Sequence, residues 1–386
     1  MNKNKCSKGR NHICLVVPGA YPLLAGKNPK NIIGPDVRVF LLAKELMKHD
    51  FKITLITFNK EEVIPVDYID GIRTINIHDN AYHLRVLYII VKVFRMWNAM
   101  HKAKAHICFH SGGITGPVSL FCRVMKKKFI YGIASDALVN RGLITRKIKG
   151  FNRSKFSLGI FSNWLDIKLA DAIIVQSEYQ KTMLKNNFGK NGIVIKNPFP
   201  LTEREMPEKA NPPIVLWVGS MAEVKQPELF VKLAEAIPEA RFQMIGGHSG
   251  NQELYDWMKD TARSLSNLEF LGVVPLNEID EYFGRASILV NTSMFEGFPN
   301  AFIQAWMHYV PVVSLNADPD ELLCENGLGV CSNRFEQMVE DVKILLKDEQ
   351  LRQKMGKNSR QYVEREHDIS NIIKEYIGLF DRIGEV

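Results

Sequence analysis

Short, largely uncharged apolar runs alternate with helical patterns along almost the whole chain, and this alternation most tightly limits how it can fold. Ile13–Val17, Ile53–Thr57, Ile107–His110, Phe129–Ile133 and Ala172–Gln176 read as strands covered on both faces, as parallel sheets require. Asp36–Lys48, Thr115–Met125 and Tyr179–Asn187 lie between them with helical spacing. A second series follows in Ile214–Gly219, Arg241–Ile245, Leu268–Leu271, Ile288–Asn291 and Val310–Leu315. Repeated strand–helix units imply an α/β fold of doubly wound, Rossmann-like sheets.

With 386 residues, the chain exceeds what one hydrophobic core usually supports. The polar, proline-rich stretch Met206–Pro213 divides the two series. The expectation is an N-terminal domain over 1–205 and a second over 214–368. A last helix, 369–386, packs back towards the first domain. Two such halves would face one another across a cleft, a usual place for a ligand.

Charge divides the same way. Residues 1–200 hold 32 Lys and Arg against 12 Asp and Glu, and the remainder 18 against 30. A basic half suits an anionic lipid surface, nucleic acid or a phosphorylated substrate. Arg85, Lys92, Arg95, Lys102 and Lys104 accompany Leu87–Val91, Phe94, Trp97 and Met100. Arg123, Lys126–Lys128, Arg141, Arg146, Lys147, Lys149, Arg153 and Lys155 follow. Interleaved aromatic and basic residues suit the surface of a membrane; a packed helix with a solvated basic face has the same pattern. Residues 84–98 carry too many charges to span a bilayer, and the run Ile13–Val17 is too short for a signal peptide. The six scattered cysteines, with no CxxC pair, suit a reduced compartment. Together these readings place the chain in the cytoplasm, with peripheral attachment to the inner face of the membrane as an option.

Three segments carry candidate chemistry. In Ile288–Trp306 a strand ends at Asn291, a loop carries Glu296-Gly297, and Pro299 stands where a helix begins. A helix N-terminus offers unpaired N–H groups and partial positive charge to a diphosphate. Any α/β protein has such joints, so the residues alone leave a plain structural joint open. In Ile214–Pro227 a strand ends in Gly219-Ser220, and Lys225 follows as a cation for phosphate or as a solvated surface lysine. In Ala105–Leu120 the strand ends in His110 before Gly112-Gly113. His110 is expected at the carboxyl edge of the sheet, pointing into the cleft. Neither GxGxxG nor GxxxxGK[ST] is present there.

Taken together, these segments resemble the family 4 retaining glycosyltransferases, which have the GT-B fold. The pattern VNTSMFEGFPNAFIQAW followed by PVVSLNADPD is similar to a bacterial branch devoted to surface polysaccharides. Glu296-x7-Gln304 stands where that family has Glu-x7-Glu. The resemblance implies that Glu296 contacts the donor sugar, and that Gly297, Phe298, Pro299, Asn300 and Ala301 present backbone N–H groups to sugar and phosphate. It implies that Lys225 holds the diphosphate, with Gly219 and Ser220 beside it, and that Gly272-Val273 frame the base. Gly34 lies where the family has paired glycines, and His110 joins Glu296 and Lys225 as a catalytic candidate. Two departures stand out: Gln304 replaces the glutamate that grips the ribose, and Ser220 replaces an arginine. The implied donor is a nucleotide-diphosphate sugar, UDP-sugar by frequency in the family, and the acceptor a glycan or lipid-linked sugar. No cofactor and no metal are expected; Asp318-Pro319-Asp320 reads as a loop after a strand, with Glu321 nearer the donor. Rival readings are a nucleotide-sugar epimerase on the same fold, an inactive scaffold, and a basic nucleic-acid-binding protein.

Overall fold

The computed structural model describes residues 12–26, 34–59, 64–78, 85–111, 117–140, 153–202, 205–249 and 251–385. Gly112-Gly113, Cys6 and the basic residues Arg141, Arg146, Lys147 and Lys149 lie outside them. The side chains of Arg85, Arg153 and Lys155 are likewise not described.

The first unit holds an eight-stranded sheet. Its elements are β1 (His12–Val16), α1 (Tyr21–Leu24), α2 (Gly34–Lys48), β2 (Lys52–Asn59), β3 (Val66–Ile69), β4 (Ile72–His78), α3 (Arg85–Ala103), β5 (Ile107–Ser111), α4 (Pro117–Val124), β6 (Lys128–Gly132), α5 (Arg153–Leu169), β7 (Ala172–Val175), α6 (Glu178–Phe188) and β8 (Ile193–Val194). The strand order is β3-β4-β2-β1-β5-β6-β7-β8. All pairings are parallel except β3 with β4. That hairpin, turned at Asp70-Gly71 with both residues at positive φ, has no counterpart in the sequence reading: β3 is only four residues long and alternates exposed with half-buried.

Alternate residues of one strand serve opposite faces. Ile13, Leu15 and Val17 pack with Val39 and Leu42 of α2. Cys14 and Val16 pack with Met96 and Met100 of α3, Phe121 and Cys122 of α4, and Ile167 of α5. Three cysteines scattered in sequence, Cys14, Cys108 and Cys122, therefore come together in one core as buried free thiols. Cys324 is exposed and Cys331 half-buried, both free.

The second unit is built from β9 (Ile214–Val218), α7 (Pro227–Ala236), β10 (Arg241–Ile245), α8 (Gln252–Ser264), β11 (Leu268–Gly272), α9 (Ile279–Arg285), β12 (Ile288–Asn291), α10 (Asn300–Met307), β13 (Val312–Ser314), α11 (Leu322–Glu325), β14 (Gly329–Cys331), α12 (Phe335–Lys347) and α13 (Glu349–Glu366). Its six strands run parallel in the order β11-β10-β9-β12-β13-β14. Close approach of backbones sets the glycines: a Cβ on Gly246 would lie 1.9 Å from the Gly219 carbonyl oxygen. The last helix, α14 (Ile369–Gly384), returns to the first unit, where Ile372, Ile373, Tyr376, Leu379 and Phe380 join the α2 side of its core. Its hydrophobic stripe at three- and four-residue spacing explains that burial. Among the described residues no helix is long and apolar enough to cross a membrane.

Candidate active site

In each sheet the winding reverses once, and the crevice beyond the carboxyl ends of the strands at that reversal is the usual ligand position. In the second unit it lies between β9 and β12. The loops leaving these two strands carry Lys225 and Glu296.

Lys225 ends a single tight turn, Glu223–Lys225, directly before α7. Hydrogen bonds lock that turn to the β12 loop: the Met294 N–H donates to the Val224 carbonyl at 2.9 Å and the Thr292 hydroxyl to the Lys225 carbonyl at 2.7 Å. Thr292 is itself fixed by the Trp217 indole N–H at 3.0 Å. With both loops held, Lys225 Nζ reaches Glu296 Oε1 at 2.5 Å, the two side chains being 26% and 11% exposed. Ser293 Oγ donates to the same oxygen at 2.5 Å and Asn291 Nδ2 approaches it at 3.4 Å. Asn291 Oδ1 accepts from the Ser293 N–H at 3.2 Å, and the Asn316 side-chain amide donates to the Ser293 carbonyl at 3.1 Å. Glu296 is thus a heavily accepting carboxylate, oriented from three sides.

Pro299 occupies the position before the first helical residue, with φ −65°. It has no N–H to offer a ligand; its contribution is a chain direction set for α10. The Phe298 side chain turns away from the loop and packs edge-on against Trp306 and at a tilt against His367. Trp306 is in turn edge-on to Tyr362 of α13 at 5.5 Å. The aromatic stripe therefore anchors α10, while Gly297, Asn300 and Ala301 remain at its open end. Gln304 lies buried in the second turn of the helix.

Gly219 and Ser220 follow β9 directly and rest on the glycines after β10, with Met221 N–H donating to the Gly247 carbonyl at 2.9 Å. Gly272 closes β11 at φ +69°, a conformation that favours glycine, and Val273 beside it is half-buried. Asp320 and Glu321, both at positive φ, begin the turn after β13, where the Leu323 N–H is capped by Asp318 at 2.8 Å. Two consecutive non-glycine residues in that region hold local strain, which is common at binding loops. Sequence reasoning gave Asn291, Ser293 and Gly246 no part in the site, and only Gly246 left a signal, the glycine pair after β10.

The first unit reverses between β1 and β5. His110 does stand near the carboxyl end of β5, but its ring is fully covered instead of open: Nδ1 lies 2.7 Å from the Val16 carbonyl, and Tyr131 stacks on it. Gly34 begins α2 and is exposed. In the same first turn Asp36 is buried against the Gly19 N–H, and burial pushes its carboxyl up to about 7. Arg38, two residues on and also buried, donates to Ser111 Oγ and to Asn197 Oδ1. Gly132 is required there, since a Cβ would lie 2.5 Å from the guanidinium.

The family model described as glycosyl transferases group 1 matches residues 200–362, nearly all of the second unit. That unit is therefore similar to the group 1 glycosyltransferases along most of its length. The whole fold matches the GT-B glycosyltransferases. Sucrose-phosphate synthase from Thermosynechococcus elongatus superposes with a TM-score of 0.78 at 15% identity, over 96% of this chain and 98% of that one. Anabaena HepE in complex with UDP and glucose gives 0.72 at 14%, over 96% and 99%. In sequence, an uncharacterised glycosyltransferase of Methanocaldococcus jannaschii is 24% identical over 218 residues, 55% of this chain and 61% of that protein. The match therefore spans under two thirds of that relative's length.

Proposed function

We propose that this chain is a retaining, metal-independent glycosyltransferase. It moves a hexosyl group from a nucleotide-diphosphate sugar onto a glycan or lipid-linked acceptor in the building of surface polysaccharide, with UDP as the first candidate nucleotide. The observation that carries the reading is the Lys225–Glu296 pair at the β9/β12 reversal, in front of α10. A further support is the same fold in HepE, a protein described in complex with UDP and glucose.

Breaking the anomeric C–O bond builds positive charge on the sugar and negative charge on the departing diphosphate. Lys225 and the N–H groups opening α10 are suited to the second charge, and preorganised donors of this kind stabilise the transition state electrostatically. The arriving diphosphate gives Lys225 a second anion, which frees Glu296 to accept from sugar hydroxyls. Asn291 and Ser293 keep that carboxylate aimed while the lysine changes partner. Held in this way, Glu296 serves as a hydrogen-bond acceptor and not as a nucleophile, which suits attack by the acceptor from the face the diphosphate leaves. Gln304 takes the ribose hydroxyls through its amide.

Thermal shift of the purified protein against UDP, GDP, ADP, dTDP and CMP tests the site. The expected result is a selective rise with UDP that Lys225→Ala weakens. No rise with any nucleotide at millimolar concentration would overturn the reading. Retention is checked by the anomeric NMR signal of the product formed from a UDP-sugar.

A further inference from the structure

We infer that the outer face of α3, α4 and α5 in the first unit is a docking surface for an anionic lipid bilayer. The three helices form one layer over the sheet, with α4 packed against both α3 and α5. Trp97 of α3 meets Phe121 of α4 edge-on at 5.6 Å. Trp97 and Met100 thus turn inward, which corrects the sequence reading that put them on the membrane side with Phe94.

What remains outside is strongly apolar. Phe94 is 72% exposed, Val124 61% and Phe161 59%, accompanied by Ile90, Leu120 and Trp164. They fall in pairs one helical turn apart, Ile90 with Phe94, Leu120 with Val124, and Phe161 with Trp164, so each helix presents a ridge to solvent. A surface helix normally keeps its apolar stripe for the core and puts polar residues outside. Here α5 buries Ile167 and still exposes two aromatic rings. Apolar ridges repeated on three neighbouring helices are a mark of an interaction surface.

Charge selects the partner. The sequences of α3, α4 and α5 contain a single acidic residue, Asp166, and it is fully buried beside Ser119. Lys102, Arg123, Lys126 and Lys168 are exposed on or beside the same helices. A cavity of about 140 Å³ next to Trp164 has Lys168 and Lys190 in its lining, with room for a phosphate headgroup. Apolar ridges that enter the acyl boundary, on three helices that expose cations and whose one carboxylate is buried, match a leaflet carrying anionic lipid. A protein partner of ordinary mixed charge would leave those cations unpaired, and a nucleic acid would leave the ridges uncovered.

Flotation with phosphatidylcholine vesicles, with and without a large fraction of phosphatidylglycerol, tests this without reference to nucleotide. The wild-type chain is expected to float with the anionic vesicles only and to lose binding in about 1 M salt. Trp164 emission should shift to the blue on binding. The triple variant Phe94→Asp, Val124→Asp, Phe161→Asp changes exposed positions, so its melting temperature should stay close to wild type while flotation falls about tenfold or more. Arg123→Glu with Lys126→Glu should weaken flotation without touching the apolar ridges. Flotation that ignores lipid charge, or that the triple variant retains, would overturn the proposal. So would a wild-type dimer in solution that the triple variant splits, or retention on DNA that outcompetes the vesicles. Failure here leaves the donor-site reading untouched, since the nucleotide thermal shift is read separately.

Discussion

At the scale of single residues, the proposed donor site depends on one carboxylate with several donors on it. Removing Lys225 as Lys225→Met takes away the charge opposite the leaving diphosphate, and transfer from UDP-sugar is expected to fall by about 10²–10³ in kcat. Ser293→Ala leaves Lys225 in place but loosens Glu296, so its expected loss is smaller, about tenfold, and mainly in KM for the donor. Gln304→Glu restores a charge-assisted bond to the ribose diol; isothermal titration should give UDP affinity about tenfold tighter, and unchanged affinity would remove Gln304 from the site. In the first unit, Asp36 provides a pH test. Its folded-state carboxyl holds a proton up to about 7, above the ordinary carboxylate range, so its contribution to stability is complete below about pH 4 and lost as pH climbs through 7. Asp166, also raised to about 7 by burial, acts in the same sense. Between about pH 4 and about pH 7 these two carboxyls pull the melting temperature down as pH rises, and Asp36→Asn should flatten that part of the slope.

At the scale of elements, the site is a product of how loops lock together. The β9 loop, the β10 glycines and the β12 loop each supply backbone groups that the others satisfy, as in Met294 N–H to Val224 and Met221 N–H to Gly247. Gly246→Ala would drive a methyl group into the Gly219 carbonyl, so the β9 loop must shift. Circular dichroism melts should show a loss of about 2 kcal/mol or more, and nucleotide binding should fall with it. Trp306 fixes α10 to α13 from a fully buried position, where Trp306→Ala is expected to cost about 3–5 kcal/mol. The same packing explains why Phe298, which the family pattern ties to the donor, points its ring into the core.

At the scale of the molecule, the chain leaves the first unit near residue 198 and returns at residue 369 to complete it. The α14 side chains Ile372, Ile373, Tyr376, Leu379 and Phe380 are part of that unit's core. A chain ending at residue 368 would expose them all as a missing wall. It is expected to express as insoluble or aggregated protein, while a shorter cut after Gly384 should behave as wild type in size-exclusion chromatography.

The strand–helix alternation, the buried strands and the strand–loop–helix joint at Ile288–Trp306 were legible because they rest on local periodicity, which neighbouring residues determine among themselves. The β3–β4 hairpin was not, because a short strand at a sheet edge has one exposed face and little apolar signal. Glu296 and Lys225 were found as separate candidates 71 positions apart; only the crossing of the winding between β9 and β12 made them one pair. His110, Trp97 and Met100 show the opposite limit, since exposure depends on what the rest of the chain lays over a residue. The basic, aromatic-rich character of the first half was written in its composition. Which of those rings face the core and which face outward was decided by helix packing, where each turn inward is set by the volume its neighbours leave.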